Sequence, residues 1–393
     1  MNSTRRNVGL LAACQALLLT NNATLIAING LAGLALAPRA ALATLPVTSW
    51  VAGGAIATML ASLHMKRVGR QRGLTLGTLW GIAGALICAG AVWVQSFWLL
   101  CFGALVFGVY NAYGQYYRFA AADVASADFK STAISLVLAG GLVGGILGPT
   151  TSRFTVDLVE PRFTGAYLAL IGFALATLAL LRFVRIPMPS ARTQAAPGRP
   201  LAVIVAQPKF IVAVMSGAIG YGVMNFLMTS TPIAMGVCGH PYGDAAFVIS
   251  SHVVGMFAPS FITGGLIRRV GVLPVMFAGA LLNFAAIAIA LSGISVPHFW
   301  GSLVLLGVGW NFLFIGGTAL LTETYRPEEM AKAQGANDQV IFIMMAISSF
   351  TSGLTVTAAG WERVNLFALP MVAVVAIAIV WYGMTHHRRK GAA

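Results

Sequence analysis

Twelve apolar runs, each near the length that crosses a bilayer as a helix, follow one another along this chain of 393 residues, and no other feature narrows its fold so far. They lie at about 8–36, 41–65, 74–94, 97–120, 132–154 and 163–184, then at 208–237, 245–267, 273–292, 299–321, 333–359 and 365–385. In hydrocarbon each backbone N–H and C=O must be satisfied within its own segment, so such runs fold as helices. Charged residues make up 9% of the chain and hydrophobic ones 58%, whereas an ordinary soluble domain is about a quarter charged. The expected class is an all-α membrane protein with twelve transmembrane helices.

Lys and Arg set the expected orientation, because positive charge in short loops is retained on the cytoplasmic side. Arg5 and Arg6, then Lys66, Arg67, Arg70 and Arg72, then the basic residues of 182–209, Arg268 and Arg269, and finally 388–390 fall on one side. Only Arg39, Arg153, Arg162 and Arg363 fall on the other. Both termini are thus expected in the cytoplasm, with the chain crossing the membrane many times. The net charge of +14 reads as a topological signal and as attraction to anionic lipid, not as nucleic-acid binding. Arg5-Arg6 opens an apolar run too long for a secretory leader, with Asn21, Asn22 and Asn29 inside it and no convincing cleavage site, so that run reads as the first helix. Cys14, Cys88, Cys101 and Cys238 show no paired spacing and suggest no disulfide framework.

Between 186 and 207 the chain carries Pro187, Pro189, Pro197 and Pro200 with basic residues and no apolar period, as a cytoplasmic linker would. It separates a six-helix bundle at 1–185 from a second at 208–393. The halves echo each other. Lys66-Arg67-Val68-Gly69 after the second run matches Arg268-Arg269-Val270-Gly271 after the eighth, and Tyr117-Arg118 matches Tyr325-Arg326. Parallel repeats of this kind describe a transporter architecture with substrate sites near the midplane.

Sulfur and imidazole concentrate in the second half. Met224 and Met228 stand four apart on the seventh run, and His252 and Met256 four apart on the eighth, so each pair shares a helix face. At about 1.5 Å per residue, Met228 and His252 each lie roughly 12 Å below the outer surface, and Met224 and Met256 roughly 18 Å. Thioethers with an imidazole suit Cu(I) and not a hard cation. An intramembrane histidine is by default a functional hypothesis, although methionine also fills irregular cores. Cys238 and His240, two apart at the outer mouth, could capture a metal first.

Over nearly its full length the chain resembles the major facilitator superfamily. Gly264-Gly265-Leu266-Ile267-Arg268-Arg269-Val270-Gly271 is similar to that family's signature after the second helix, with Lys66 and Arg268 where an acid is usual. Gly144-x-x-x-Gly148-Pro149 resembles its antiporter motif, while small residues four apart serve close helix packing equally well. The methionine and histidine pairs further resemble the CcoA-type copper importers of this family, which also carry a cysteine near the position of Cys238. That resemblance implies uptake of copper across a bacterial inner membrane, as substrate and with no prosthetic group, for haem-copper oxidase assembly. It makes the ion, membrane lipids and copper chaperones on either side the expected partners of a monomer.

The remaining polar residues suggest mechanism. Asn21, Asn22, Asn29, Asn111 and Gln115 either line a route through the first half or join helices by hydrogen bonds. Pro232 and Pro259 are expected to bend their helices. Asp338 is expected to pair with a basic loop residue in a gate to which Lys66, Arg67, Arg268, Arg269, Gly144, Gly148 and Pro149 also contribute. Two other functions fit this composition: a proton-coupled exporter of organic cations or drugs, and a copper-binding assembly factor without transport. No nucleophile and base stand together, so no enzyme is expected.

Overall fold

Proline at the first turn starts three of the long helices, where its missing N–H would be unpaired in any case. The computed structural model describes residues 2–39, 42–188 and 198–390, and among them it contains helices and turns but no strand. The first half runs α1 (Asn2–Leu36), α2 (Leu45–Val68), α3 (Arg70–Trp93), α4 (Phe97–Gly114), α5 (Tyr117–Val124), α6 (Lys130–Thr155) and α7 (Thr164–Leu181). Then come the short α8 (Leu201–Val205), α9 (Pro208–Val237), α10 (Tyr242–Phe257), α11 (Ser260–Val270), α12 (Val272–Ser292) and α13 (Val296–Leu321). The last stretch, Met330–Lys390, breaks at Gly360, whose φ of 77° is not helical, and gives α14 over 330–359 and α15 over 361–390.

Eleven helical stretches among the described residues are long and apolar enough to cross a membrane, and the break at Gly360 divides the last into two. The twelve expected spans are therefore present. Two of them are interrupted. The fourth bends between α4 and α5 at Gln115 and Tyr116, and the eighth is broken between α10 and α11, where Pro259 lacks the N–H that would continue the ladder. Pro232, in contrast, sits inside an unbroken α9. Of the expected linker, 189–197 lies outside the described residues, while 201–205 forms α8.

The chain divides into two compact units. One comprises the described residues of Met1–Ala127, Leu136–Ala196 and Gln334–Gln339, and the other those of Asp128–Ser135, Pro197–Ala333 and Val340–Ala393. In the first unit α2 and α3 pack chiefly on α4; in the second α9, α10 and α12 pack chiefly on α13. The spans built on these central helices, with α9, are the most buried, each 72% inside the protein. Lipid-facing positions keep large apolar side chains exposed, such as Leu60, Phe102, Phe154, Phe261 and Ile377.

The repeat visible in the sequence has the same backbone in both copies. Gly69 ends α2 at φ 88° and ψ 158°, and Gly271 ends α11 at φ 93° and ψ 162°, both in the region where only glycine is unstrained. The central helices are approached in the same way. A Cβ on Gly108 of α4 would stand 2.2 Å from the Trp50 carbonyl oxygen of α2. Its counterpart on Gly307 of α13 would stand 2.7 Å from the His252 carbonyl oxygen of α10. Both contacts require a side chain no larger than hydrogen.

Candidate functional site

The second unit positions its polar and aromatic groups through α13. His252 is fully buried, and its Nδ1 lies 2.7 Å from the Leu303 carbonyl oxygen. A carbonyl only accepts, so Nδ1 carries the hydrogen, and Nε2 finds no hydrogen-bond partner among the described residues. One helical turn on, the Asn311 amide donates to the Met256 carbonyl oxygen and to the Ser260 hydroxyl, both at 2.6 Å. Thr263 donates to the Asn311 carbonyl oxygen at 2.7 Å. Asn311 thus satisfies the backbone freed at the Pro259 break and holds α10 and α11 on one side of α13.

Of the four expected metal ligands, His252 and Met256 are buried where α10 meets α13 at Gly307. On α9, Met224 is buried and Met228 half-buried. Both helices pack chiefly on α13 and share a much smaller face with each other. Val223 and Leu227, on either side of Met224, belong to an apolar cluster with Val248, Leu303 and Leu306. In the turn that follows α9, the His240 Nε2 lies 2.7 Å from the Ile294 carbonyl oxygen, and its ring packs edge-on against Phe299 at 5.9 Å. His240 therefore ties the turn after α9 to the one before α13. Cys238 is half-buried with a free thiol. Among the described residues no group of three or more His, Cys, Asp or Glu converges.

About two helical turns along α13 from Leu303 lies an aromatic cluster that the sequence reading did not single out. Trp310 and Phe314 are one turn apart on α13 and stack at 4.9 Å with 13° between their planes. Tyr221 of α9 meets both edge-on, at 5.4 and 5.6 Å. Phe257 at the end of α10 meets Trp310 edge-on at 5.7 Å. Trp310 is 2% exposed, yet its indole N–H has no acceptor among the described residues. Tyr221, Asn225 and Met228 follow at helical spacing on one half-buried face of α9. The Asn225 amide donates to the Ser348 hydroxyl at 2.9 Å and the Met345 carbonyl at 3.2 Å. Aromatic faces, a spare indole donor and a carboxamide can hold a flat conjugated solute. Nothing in the 299–321 run marks these rings, since tryptophan and phenylalanine are as common facing lipid as facing a site. The one readable signal is Trp310 and Phe314 at spacing four beside Asn311.

The first unit holds a buried polar chain. The Asn22 amide donates to the Asn111 carbonyl oxygen at 2.8 Å, the Gln115 amide reaches the same oxygen at 3.3 Å, and Arg118 donates to the Gln115 carbonyl oxygen at 3.0 Å. Arg118 also pairs with Asp338, which accepts from the Asn337 amide at 2.7 Å, and both partners are 2% exposed at the side chain. Asp338 is therefore paired with a buried helical arginine and not with a basic loop residue as expected. Asn29 accepts from the Tyr167 hydroxyl at 2.8 Å. Three of the five polar residues read as route or glue, Asn22, Asn29 and Asn111, thus join separate spans, while Gln115 braces the bend of its own span through Asn111 and Arg118. Arg70 pairs with Asp123 at 3.0 Å, whereas Lys66, Arg67, Arg268 and Arg269 take no part in the ion pairs among the described residues.

Gly144 and Gly148 face α1. A Cβ on Gly144 would stand 2.5 Å from the Leu19 Cβ, and one on Gly148 2.4 Å from the Ala23 Cβ. Thr24 donates to the Gly148 carbonyl oxygen at 3.0 Å, and Pro149 continues inside α6. Close packing is what these small residues do here.

Comparison with known proteins brings the whole chain into one family. Residues 10–348 and 239–393 match the family model of the Major Facilitator Superfamily. The riboflavin transporter RfnT of Brucella anthropi is 41% identical over 379 residues, which cover 96% of this chain and 95% of that one. The proton:xylose symporter XylE superposes with a TM-score of 0.80 at 13% identity, covering 96% of this chain and 95% of that one. For the E. coli fucose:proton symporter FucP the TM-score is 0.76 at 16% identity, covering 96% and 99%. The two structures speak for the fold alone. The broad family resemblance is thus upheld, while the narrower one, to copper importers, gains nothing from a 41% identical relative named for riboflavin.

Proposed function

The chain belongs to the Major Facilitator Superfamily and is a secondary transporter, and from that premise we propose that it carries riboflavin or a closely similar flat heterocycle across the bacterial inner membrane. The observation that carries this reading is the aromatic cluster of Tyr221, Phe257, Trp310 and Phe314, with an indole N–H that has no acceptor among the described residues. An isoalloxazine ring is planar, conjugated and rimmed with carbonyl and imine acceptors. Stacking and one N–H donor recognise such a ring, and neither requires a charge in the membrane interior, where a charge is costly. The identity with the riboflavin transporter, extending over both chains nearly end to end, supports the same solute. The test is growth of a riboflavin auxotroph lacking its own uptake system at limiting riboflavin. Rescue by this chain and loss of rescue in a Trp310→Leu variant that still reaches the membrane support the reading; absence of rescue by the unaltered, membrane-inserted chain refutes it.

Copper is the second reading, kept because His252 offers a fixed tautomer. Its Nδ1–H is engaged by the Leu303 carbonyl, which leaves the Nε2 lone pair open, and Met256, one turn on along α10, is buried, as is Met224 on α9. A metal-binding histidine has its other nitrogen held in this manner. Accumulation of copper that disappears in His252→Ala, with riboflavin uptake absent throughout, would favour this reading over the first.

A further inference from the structure

A groove far from the aromatic cluster has a built-in preference for a different class of molecule. It opens between α3 and α7 of the first unit, has a volume of about 630 Å³, and is lined by Gln71, Arg72, Leu76, Leu79, Leu178 and Arg182 together with Thr75. We propose that it holds an anionic phospholipid, with the phosphodiester between Arg72 and Arg182 and an acyl chain along the leucines.

The amphipathic order of the lining follows from helix geometry. Arg72, Leu76 and Leu79 stand at spacings of four and three on one face of α3, so about 10 Å of helix takes the groove from charge to hydrocarbon. Leu178 of α7 precedes Arg182, the residue that caps its end, by one turn, and the polarity is the same. Leu76 and Leu79 are 36% and 46% exposed, so this apolar floor is open to the bilayer and not part of a core. The Gln71 amide donates to the Leu181 carbonyl at 2.9 Å and fixes the two helices at the charged end. Thr75 spends its hydroxyl on the Gln71 carbonyl, also at 2.9 Å.

Charge complementarity selects the headgroup. Both arginines are exposed, no carboxylate lines the groove, and neither arginine joins an ion pair among the described residues. The charged end lies at the basic end of the bundle, beside Arg70 and Arg185, which the positive-inside rule places in the cytoplasm. Basic pockets between helices at that level suit anionic headgroups, and a guanidinium binds a phosphate through paired N–H donors. A zwitterionic choline headgroup would set its own cation against the same arginines.

The site does not depend on which solute is carried. Native mass spectrometry of the purified full chain in detergent, titrated with phosphatidylglycerol or with phosphatidylcholine of the same acyl chains, tests it. The unaltered protein is expected to retain phosphatidylglycerol in preference. Arg72→Gln with Arg182→Gln should weaken that retention about 25-fold, on the order of fivefold per arginine. Arg268→Gln with Arg269→Gln, which removes the same charge elsewhere, should leave it unchanged, and Arg72→Lys with Arg182→Lys should keep most of it. Equal loss in the two Gln pairs would overturn the site in favour of diffuse attraction. So would equal retention of phosphatidylcholine, or displacement of phosphatidylglycerol by inorganic phosphate, which would mark an anion site without lipid character.

Discussion

Replacing Trp310 by phenylalanine separates the two things its indole is proposed to do. Phenylalanine keeps a ring in the stack with Phe314 at 4.9 Å and near Tyr221 and Phe257, but removes the N–H that has no acceptor among the described residues. Truncation to alanine would be a poorer choice, since emptying a buried tryptophan site costs about 3–5 kcal/mol and threatens the fold. A neutral hydrogen bond contributes about 0.5–1.5 kcal/mol net, and an aromatic contact about the same beyond the area it buries. Trp310→Phe should therefore raise the riboflavin KM by roughly twofold to tenfold with little change in maximal rate. Trp310→Leu loses both contributions, about 1–3 kcal/mol together, and should raise KM from several-fold to about a hundredfold. Uptake of radiolabelled riboflavin by cells with matched membrane expression gives both values. Quenching of flavin fluorescence by electron transfer from the indole gives an independent reading and should fall sharply in both variants. Unchanged KM and quenching in Trp310→Leu would refute the placement of the ring on this cluster.

Other substitutions probe the frame around the site. Gly307→Val pushes a side chain onto the α10 backbone at His252 and Met256, and should cost about 1–3 kcal/mol of stability, read as a lower Tm in detergent; an unchanged Tm would contradict the close approach. Arg118→Gln and Asp338→Asn each strand a buried partner and should each cost about 3–5 kcal/mol, while the double variant costs less than their sum; strictly additive losses would show that the pair does not act as one. Met224→Leu conserves volume in a buried setting, so riboflavin uptake should stay within about twofold of the unaltered protein, and a large loss would place the sulfur in the pathway. His240→Ala removes one exposed tie to the Ile294 carbonyl and should cost under about 1 kcal/mol without altering uptake.

Much of the fold was legible because the bilayer constrains it so strongly. Run lengths located the twelve spans to within a few residues, and Gly69 and Gly271, which close the echoed Lys66–Gly69 and Arg268–Gly271, share their backbone angles. Interruptions were less visible. Pro259 breaks its helix while Pro232 does not, and Asn311 reaches across from another helix to the Met256 carbonyl and the Ser260 hydroxyl at the break, a contact between distant residues that no local pattern reveals. The polar contacts split along the same line. Asn22, Asn111 and Gln115 stood out as amides in apolar runs, whereas Arg118 read as part of a loop echo and proved to be the buried partner of Asp338. Sulfur and imidazole are rare enough for their spacing to be noticed, and so drew attention to Met224, Met228, His252 and Met256. The aromatic rings were concealed by their number, because a membrane protein places Trp and Phe on every face, and only α13 as the central helix of its unit identifies which of them turn inward.

The most direct measurement is uptake by the purified chain in proteoliposomes, with radiolabelled riboflavin in one set and radioactive copper under reducing conditions in another. The account predicts saturable riboflavin uptake that is weakened by Trp310→Leu and unaffected by Met224→Leu, with copper no higher than in empty liposomes. Saturable copper uptake that His252→Ala abolishes, with no riboflavin entering, would contradict it.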